Sequence, residues 1–203
     1  MPFTHLPEGT AGRSRGLGPE VVAVSFSLKA RPFRPCRANL LGLAVAFFLA
    51  AGLVFITEPI VPVIGATSRD WRPDSFWHQN WGRSGVHKGI DIFAPKGSPV
   101  VSATPGLVIF SGYLNLGGKV VCLLDPGLRI HYYAHLEAVQ VRAGELVWRG
   151  ERLGVVGNTG NAAGSPPHLH YSILSTLPKP WRWDLSPQGW KKIFYLDPSR
   201  EMD

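Results

Sequence analysis

The chain has 203 residues, 45% of them hydrophobic, and carries 21 Lys and Arg against 14 Asp and Glu for a formal net charge of +7. That length accommodates one good-sized domain and an appendage. The basic residues are scattered and form no nucleic-acid-binding motif, which excludes nucleic-acid recognition as a reading, and the two cysteines, Cys36 and Cys122, belong to no metal-ligand cluster.

Residues 1–37 form a basic N-terminal segment holding Arg13, Arg15, Lys29, Arg31, Arg34 and Arg37 against Glu8 and Glu20. From Ala38 to Thr57 no residue is charged. At ~1.5 Å per residue such a run reaches across the ~30 Å of a hydrocarbon core. It predicts a single transmembrane helix over 38–57 acting as a signal anchor. A cleaved signal peptide is the competing reading, and a buried core helix the bland one. The flanking charge holds the N-terminus in the cytoplasm. The expected location is therefore a single pass in the inner (cytoplasmic) membrane, with everything after residue 57 in the periplasm or extracytoplasmic space. In that topology Cys36 and Cys122 lie on opposite sides and cannot pair. Cys122, in an apolar run, reads as a small buried hydrophobe.

Residues 58–84 read as a Pro/Trp-rich linker leading into a domain that spans 85–175. There, short apolar runs such as "LVIFSG", "KVVCLLDPG" and "RLGVVGNTG" alternate with Gly and Pro. Val, Ile, Tyr and Phe between closely spaced turn signals predict a mainly β fold: a compact antiparallel β-sheet sandwich or barrel-sandwich. Residues 176–203 form a Trp/Pro-rich C-terminal extension, expected to pack back on the domain with a short helix over Gly189–Tyr195. Six of the seven tryptophans fall in the two flanking segments. Packing is their expected job, and rimming a groove is the alternative.

The chemistry sits in the β-domain: His87 and Asp91 in "HKGID", His135 in "YYAHL", and His168 with His170 in "PPHLH". Strand side chains two or four positions apart share a face. His168 and His170 then project to one side while Leu169 points to the core, and His87 shares a face with Asp91 if that stretch is extended. A strand-like "HYYAHL" would bring His131, Tyr133 and His135 to one side. An isolated strand histidine is ordinarily just a hydrogen-bonded residue. Five such groups on one sheet surface are different: three suit a zinc ion that keeps a position open for water, and two remain to move protons. His131 is left as a supporting partner or a groove residue.

From "GVHKGIDIFAPKGSPV" through "YYAHL" to "GVVGNTGNAAGSPPHLHYSI", the chain resembles the lysostaphin-type (LytM-like) zinc endopeptidases that hydrolyse peptidoglycan. The resemblance covers residues 85–173. It implies one Zn2+ per chain held by His87, Asp91 and His170, with His135 and His168 as catalytic histidines in a loop-walled groove. It also implies amide hydrolysis in peptidoglycan peptide cross-links by metal-activated water. No HExxH glutamate is present, so His135 and His168 must orient and deprotonate the water, stabilise the oxyanion or protonate the leaving amine; which does which stays open. Relatives cut glycine bridges or the bond from D-Ala to a diamino acid, and the latter is the expectation here. The partners implied are peptidoglycan and, through 38–57, the membrane, with a regulatory envelope protein as a further candidate. Two alternatives stand beside this. One is a non-catalytic LytM-like domain that binds and activates another cell-wall hydrolase. The other is a barrel-sandwich carrier domain, which would call for an exposed modified lysine or a phosphorylated histidine without a metal triad.

Overall fold

The computed structural model describes residues 58–202. The segments 1–37 and 38–57, including the expected membrane helix, lie outside the described residues. Among those described, no helix is long and apolar enough to cross a membrane.

Twelve short strands follow one another: β1 (Gln79–Trp81), β2 (Gly85–Val86), β3 (Ile90–Phe93), β4 (Pro99–Val101), β5 (Gly106–Leu114), β6 (Gly118–Leu124), β7 (Arg129–Leu136), β8 (Ala138–Val139), β9 (Leu146–Val147), β10 (Arg152–Val155), β11 (His168–Ser175) and β12 (Tyr195–Leu196). All pairings are antiparallel. The fold is mainly β, as the turn-punctuated apolar runs predict. The large sheet runs β12-β11-β7-β6-β5-β9, and β3 shares an edge of β11 with β12, end to end. A smaller three-stranded sheet runs β4-β10-β8. One apolar cluster joins the two: Val100 and Leu153 from the small sheet pack with Ile90, Ile92, Val121, Leu123, Tyr133, Leu169, Tyr171 and Ile173 from the large one. Each fully buried aliphatic side chain of this kind contributes about 1.5–3 kcal/mol.

The flanks are built into this frame. Ile60 N–H donates to Ala103 O, Val101 N–H to Pro62 O and Ile64 N–H to Pro99 O, so the chain from Ile60 onward runs along β4. At the other end Tyr195 and Leu196 pair with Leu174 and Ile173. The helix expected over Gly189–Tyr195 is a 3₁₀ turn over Gly189–Ile193, because Tyr195 leaves it to join the sheet edge. A single α-turn, α1 (Pro198–Glu201), closes the described chain, its first turn capped by the Asp197 carboxylate. Of the six flanking tryptophans only Trp71 and Trp77 are buried; Trp81, Trp181, Trp183 and Trp190 are exposed. Packing thus explains only the first two.

One strand departs from simple alternation. On β7, His131 and Tyr133 are fully buried on the core face. His135 does not join them. Lys119 pairs with Leu136 but Val121 pairs with Tyr133, so β7 carries one residue more than β6 across this interval. His135 itself adopts φ +63°. This bulge turns its ring to the opposite face, which corrects the reading of His131, Tyr133 and His135 as one row.

A candidate metal centre in an open groove

The sheet register assembles the site. On β11, Leu169, Tyr171 and Ile173 are buried in the core, so His168 and His170 project from the other face. In β3, Asp91 stands directly opposite His170, and directly paired residues point to the same side. His87 precedes β3 in a loop rather than a strand. That loop crosses β11 closely at Gly89, where a Cβ would collide with the Tyr171 carbonyl oxygen and Ser172 Oγ. Glycine there lets His87 swing in over Asp91.

Three donor atoms meet. His87 Nε2 lies 3.1 Å from Asp91 Oδ1 and 3.1 Å from His170 Nδ1, and His170 Nδ1 lies 2.8 Å from Asp91 Oδ1. A tetrahedral zinc with ~2.0–2.1 Å bonds would need ligand atoms ~3.3 Å apart, close to this triangle. Two imidazoles and one carboxylate, each offering one atom, fit a divalent ion of borderline softness.

The ring orientations support the same reading. His87 Nδ1–H donates to the Ser75 carbonyl at 3.0 Å, which leaves Nε2 as a lone pair facing the triangle. His170 presents Nδ1, while its Nε2 meets Ser172 Oγ at 2.9 Å. Burial alone would raise the Asp91 carboxyl, but the close His170 and His87 side chains outweigh it and hold the group well below the ordinary carboxylate range. Burial pushes His170 down, towards the neutral form that binds metals.

His135 and His168 stand beside the triangle. Their rings meet edge to face with centroids 5.1 Å apart, and His168 Nε2 is 3.9 Å from Asp91 Oδ1. His168 Nδ1–H donates to Pro166 O at 2.8 Å and His135 Nδ1–H to Thr159 O at 2.9 Å. A carbonyl can only accept, so each ring keeps its proton on Nδ1 and its lone pair on Nε2. Burial, with the like charges of His170 and His168, lowers the His135 pKa to about 4.

All five groups line a groove of about 560 Å³. The structure thus brings together every site residue predicted from the sequence and leaves His131 out. That residue is buried behind the sheet, its Nε2–H donating to Asp125 while the Tyr171 hydroxyl donates to its Nδ1.

Other groups were not singled out from the sequence, which left groove-rimming only as the alternative for the flanking tryptophans. Ser172 orients His170; it sits two positions further along the same strand face, a signal that was available. Trp81 stacks on His87, ring centroids 4.0 Å apart at 22°, and lines the groove. Tyr132 also lines it, edge-on to His170, its phenol pushed up to about 12 by burial and by neighbouring Cys122 and Tyr195. Reading "HYYAHL" without a bulge puts Tyr132 on the wrong face. Lys88 forms part of the wall.

An antiparallel β domain carrying this donor set, with two spare imidazoles in an open groove, has the make-up of a metallopeptidase domain. Residues 85–179 match peptidase family M23, and the chain carries a domain of that family, homologous to lysostaphin and LytM-like peptidoglycan endopeptidases. An L-Ala--D-Glu endopeptidase of Bacillus subtilis is 32% identical over 73% of this chain and 48% of its own length. The peptidoglycan DD-endopeptidase ShyC of Vibrio cholerae is 37% identical over 48% of this chain and 22% of its own length. The chain therefore spans half or less of these relatives. The fold matches a solved variant of the catalytic domain of the prophage-encoded M23 protein EnpA from Enterococcus faecalis. The TM-score is 0.51 at 20% identity, over 70% of this chain and 95% of that one.

Proposed function

We propose that this protein is a membrane-anchored, zinc-dependent endopeptidase that hydrolyses amide bonds in the peptide cross-links of peptidoglycan. His87, Asp91 and His170 would hold the ion. The observation that carries this reading is the triangle of three donor atoms 2.8–3.1 Å apart, with two further imidazoles whose Nε2 lone pairs are set by backbone acceptors. When bound, zinc supplies a Lewis acid that polarises the scissile carbonyl and acidifies water. The protein's own part is proton handling. His135 and His168, with Nδ1–H tied to the Thr159 and Pro166 carbonyls, accept a proton at Nε2 and return it to the leaving amine. The low pKa of His135 suits release more than storage. Trp81 stacked on His87 shields that face of the imidazole from solvent. A non-catalytic relative would lack one or more of these donors, and all five are in place.

The bond proposed is the one from D-Ala to a diamino acid, in line with relatives named for DD-endopeptidase activity. Anchoring through residues 38–57 would hold the domain on the wall side of the inner membrane, within the periplasm. The test is digestion of defined cross-linked muropeptides by the purified chain, with mass analysis of the products. Cleavage that stops on chelation and returns with zinc is expected. A metal-loaded protein inert toward every cross-link supplied would overturn the reading.

A further inference from the structure

One wall of the groove carries positive charge without a counter-charge. Lys88 lines the groove, and its ammonium donates to Ser84 O at 3.0 Å and Val86 O at 3.4 Å. Two of its three N–H bonds are thereby committed, which fixes the charge in place and leaves one donor over. The Ser84 carbonyl also accepts from Gln188 Nε2 at 2.9 Å, and Gln188 Oε1 accepts from Lys191 Nζ at 2.8 Å. A carbonyl and one amide therefore link the two ammonium groups. Gly85 makes room for this link, since a Cβ there would sit 2.6 Å from Gln188 Nε2. Among the described residues, no carboxylate forms an ion pair with either lysine. Holding two like charges together without an acid costs stability unless an anion completes the arrangement. Gln188 and Lys191 belong to the C-terminal extension, beyond the residues that match the peptidase family.

We propose that Lys88, backed by Lys191, forms a subsite for a free carboxylate of the peptide substrate, so that the groove selects acidic stem peptides over carboxylate-free glycine bridges. This rests on the endopeptidase reading and deepens it. A fixed ammonium in the wall of the groove orients a chain that carries a carboxylate, and a glycine bridge offers it nothing to hold.

The test compares two cross-linked muropeptides that differ only in one carboxylate next to the scissile amide, free in one and converted to the carboxamide in the other. The zinc-loaded full chain in detergent should prefer the acid by roughly tenfold in kcat/KM, mostly through KM, the scale of one charge-assisted hydrogen bond. Lys88→Met should collapse that preference. Lys191→Met, remote from the metal-ligand loop, should reduce it by a smaller factor. A wild type that cleaves both peptides equally well, or variants that keep its preference, overturns the carboxylate subsite and leaves the peptidase reading standing. A wild type that cleaves neither peptide overturns both.

Discussion

An imidazole can offer a metal only one of its two nitrogens, and at His170 the hydroxyl of Ser172 decides which. With Nε2–H donated to Ser172 Oγ, Nδ1 is left to face Asp91 and His87. Removing that hydroxyl in Ser172→Ala should leave the fold intact and weaken metal binding by about 10–100-fold, as loss of a ligand's orienting partner does. Competition with a chelator of known affinity measures it, and unchanged affinity would mean that Ser172 orients nothing. The five site residues divide by the same logic. His170→Ala should lose the metal outright. His135→Ala and His168→Ala should keep a full complement of zinc and lose ~10²–10⁴-fold in kcat, the scale of an acid–base group. Metal analysis alongside single-turnover assays separates the two groups, and loss of zinc from either of the latter variants would reverse their roles.

At the level of elements, the site depends on how three strands are aligned. β11 puts Leu169 into the core between two groove histidines, and β3 is locked to it with Asp91 opposite His170. Leu169→Ala leaves a cavity under both histidines and should destabilise the domain by about 2–5 kcal/mol. Denaturant unfolding measures that loss. A loss below about 1 kcal/mol would show that the strand collapses onto the gap and that Leu169 does not set the register. The third strand, β7, contributes through its irregularity: the bulge and left-handed backbone at His135 send that ring into the groove while His131, four residues earlier, stays behind the sheet.

The whole molecule holds a second polar group away from the groove. Asp125 accepts from Arg129 Nε at 2.7 Å and from His131 Nε2 at 3.1 Å, all behind the large sheet. Burial alone would raise the Asp125 carboxyl, but hydrogen bonds from His131 and Arg129 outweigh it and hold it below its ordinary value. Burial pushes His131 down against the pull of Asp125, so the ring is neutral. Both folded values lie below those of the unfolded chain, so the unfolded state takes up protons first and acid destabilises the fold. The loss should begin as pH falls through the ordinary histidine value of ~6.5 and deepen below ~3.9, where Asp125 of the unfolded chain takes up its proton while the folded one stays ionised. Thermal melts of metal-free protein between pH 7.5 and pH 4, each set against a His131→Gln variant, should show a steeper upper part for the wild type. Parallel profiles would remove His131 from the cause.

How much of this was legible in the sequence follows from which interactions are local. Strand content, the turn-rich β domain and the outward pairing of His168 with His170 follow from period two, Gly and Pro, which act within a few residues. The resemblance carried by "HKGID", "YYAHL" and "PPHLH" named the five groups that the groove collects. Four things needed the tertiary structure. The bulge at His135 exists only because β6 and β7 pair with unequal lengths. The role of Ser172 depends on the rotamer His170 takes against Asp91. Trp81 meets His87 only after β1 and β2 fold over. Lys88 and Lys191, about a hundred residues apart, are linked only because the C-terminal extension returns to the sheet edge. Sequence periodicity determined which side chains could share a face, because alternation is a property of one strand. The packing of distant strands decided which faces became a site, because distances of 3 Å between far-separated residues are set by register and by nothing local.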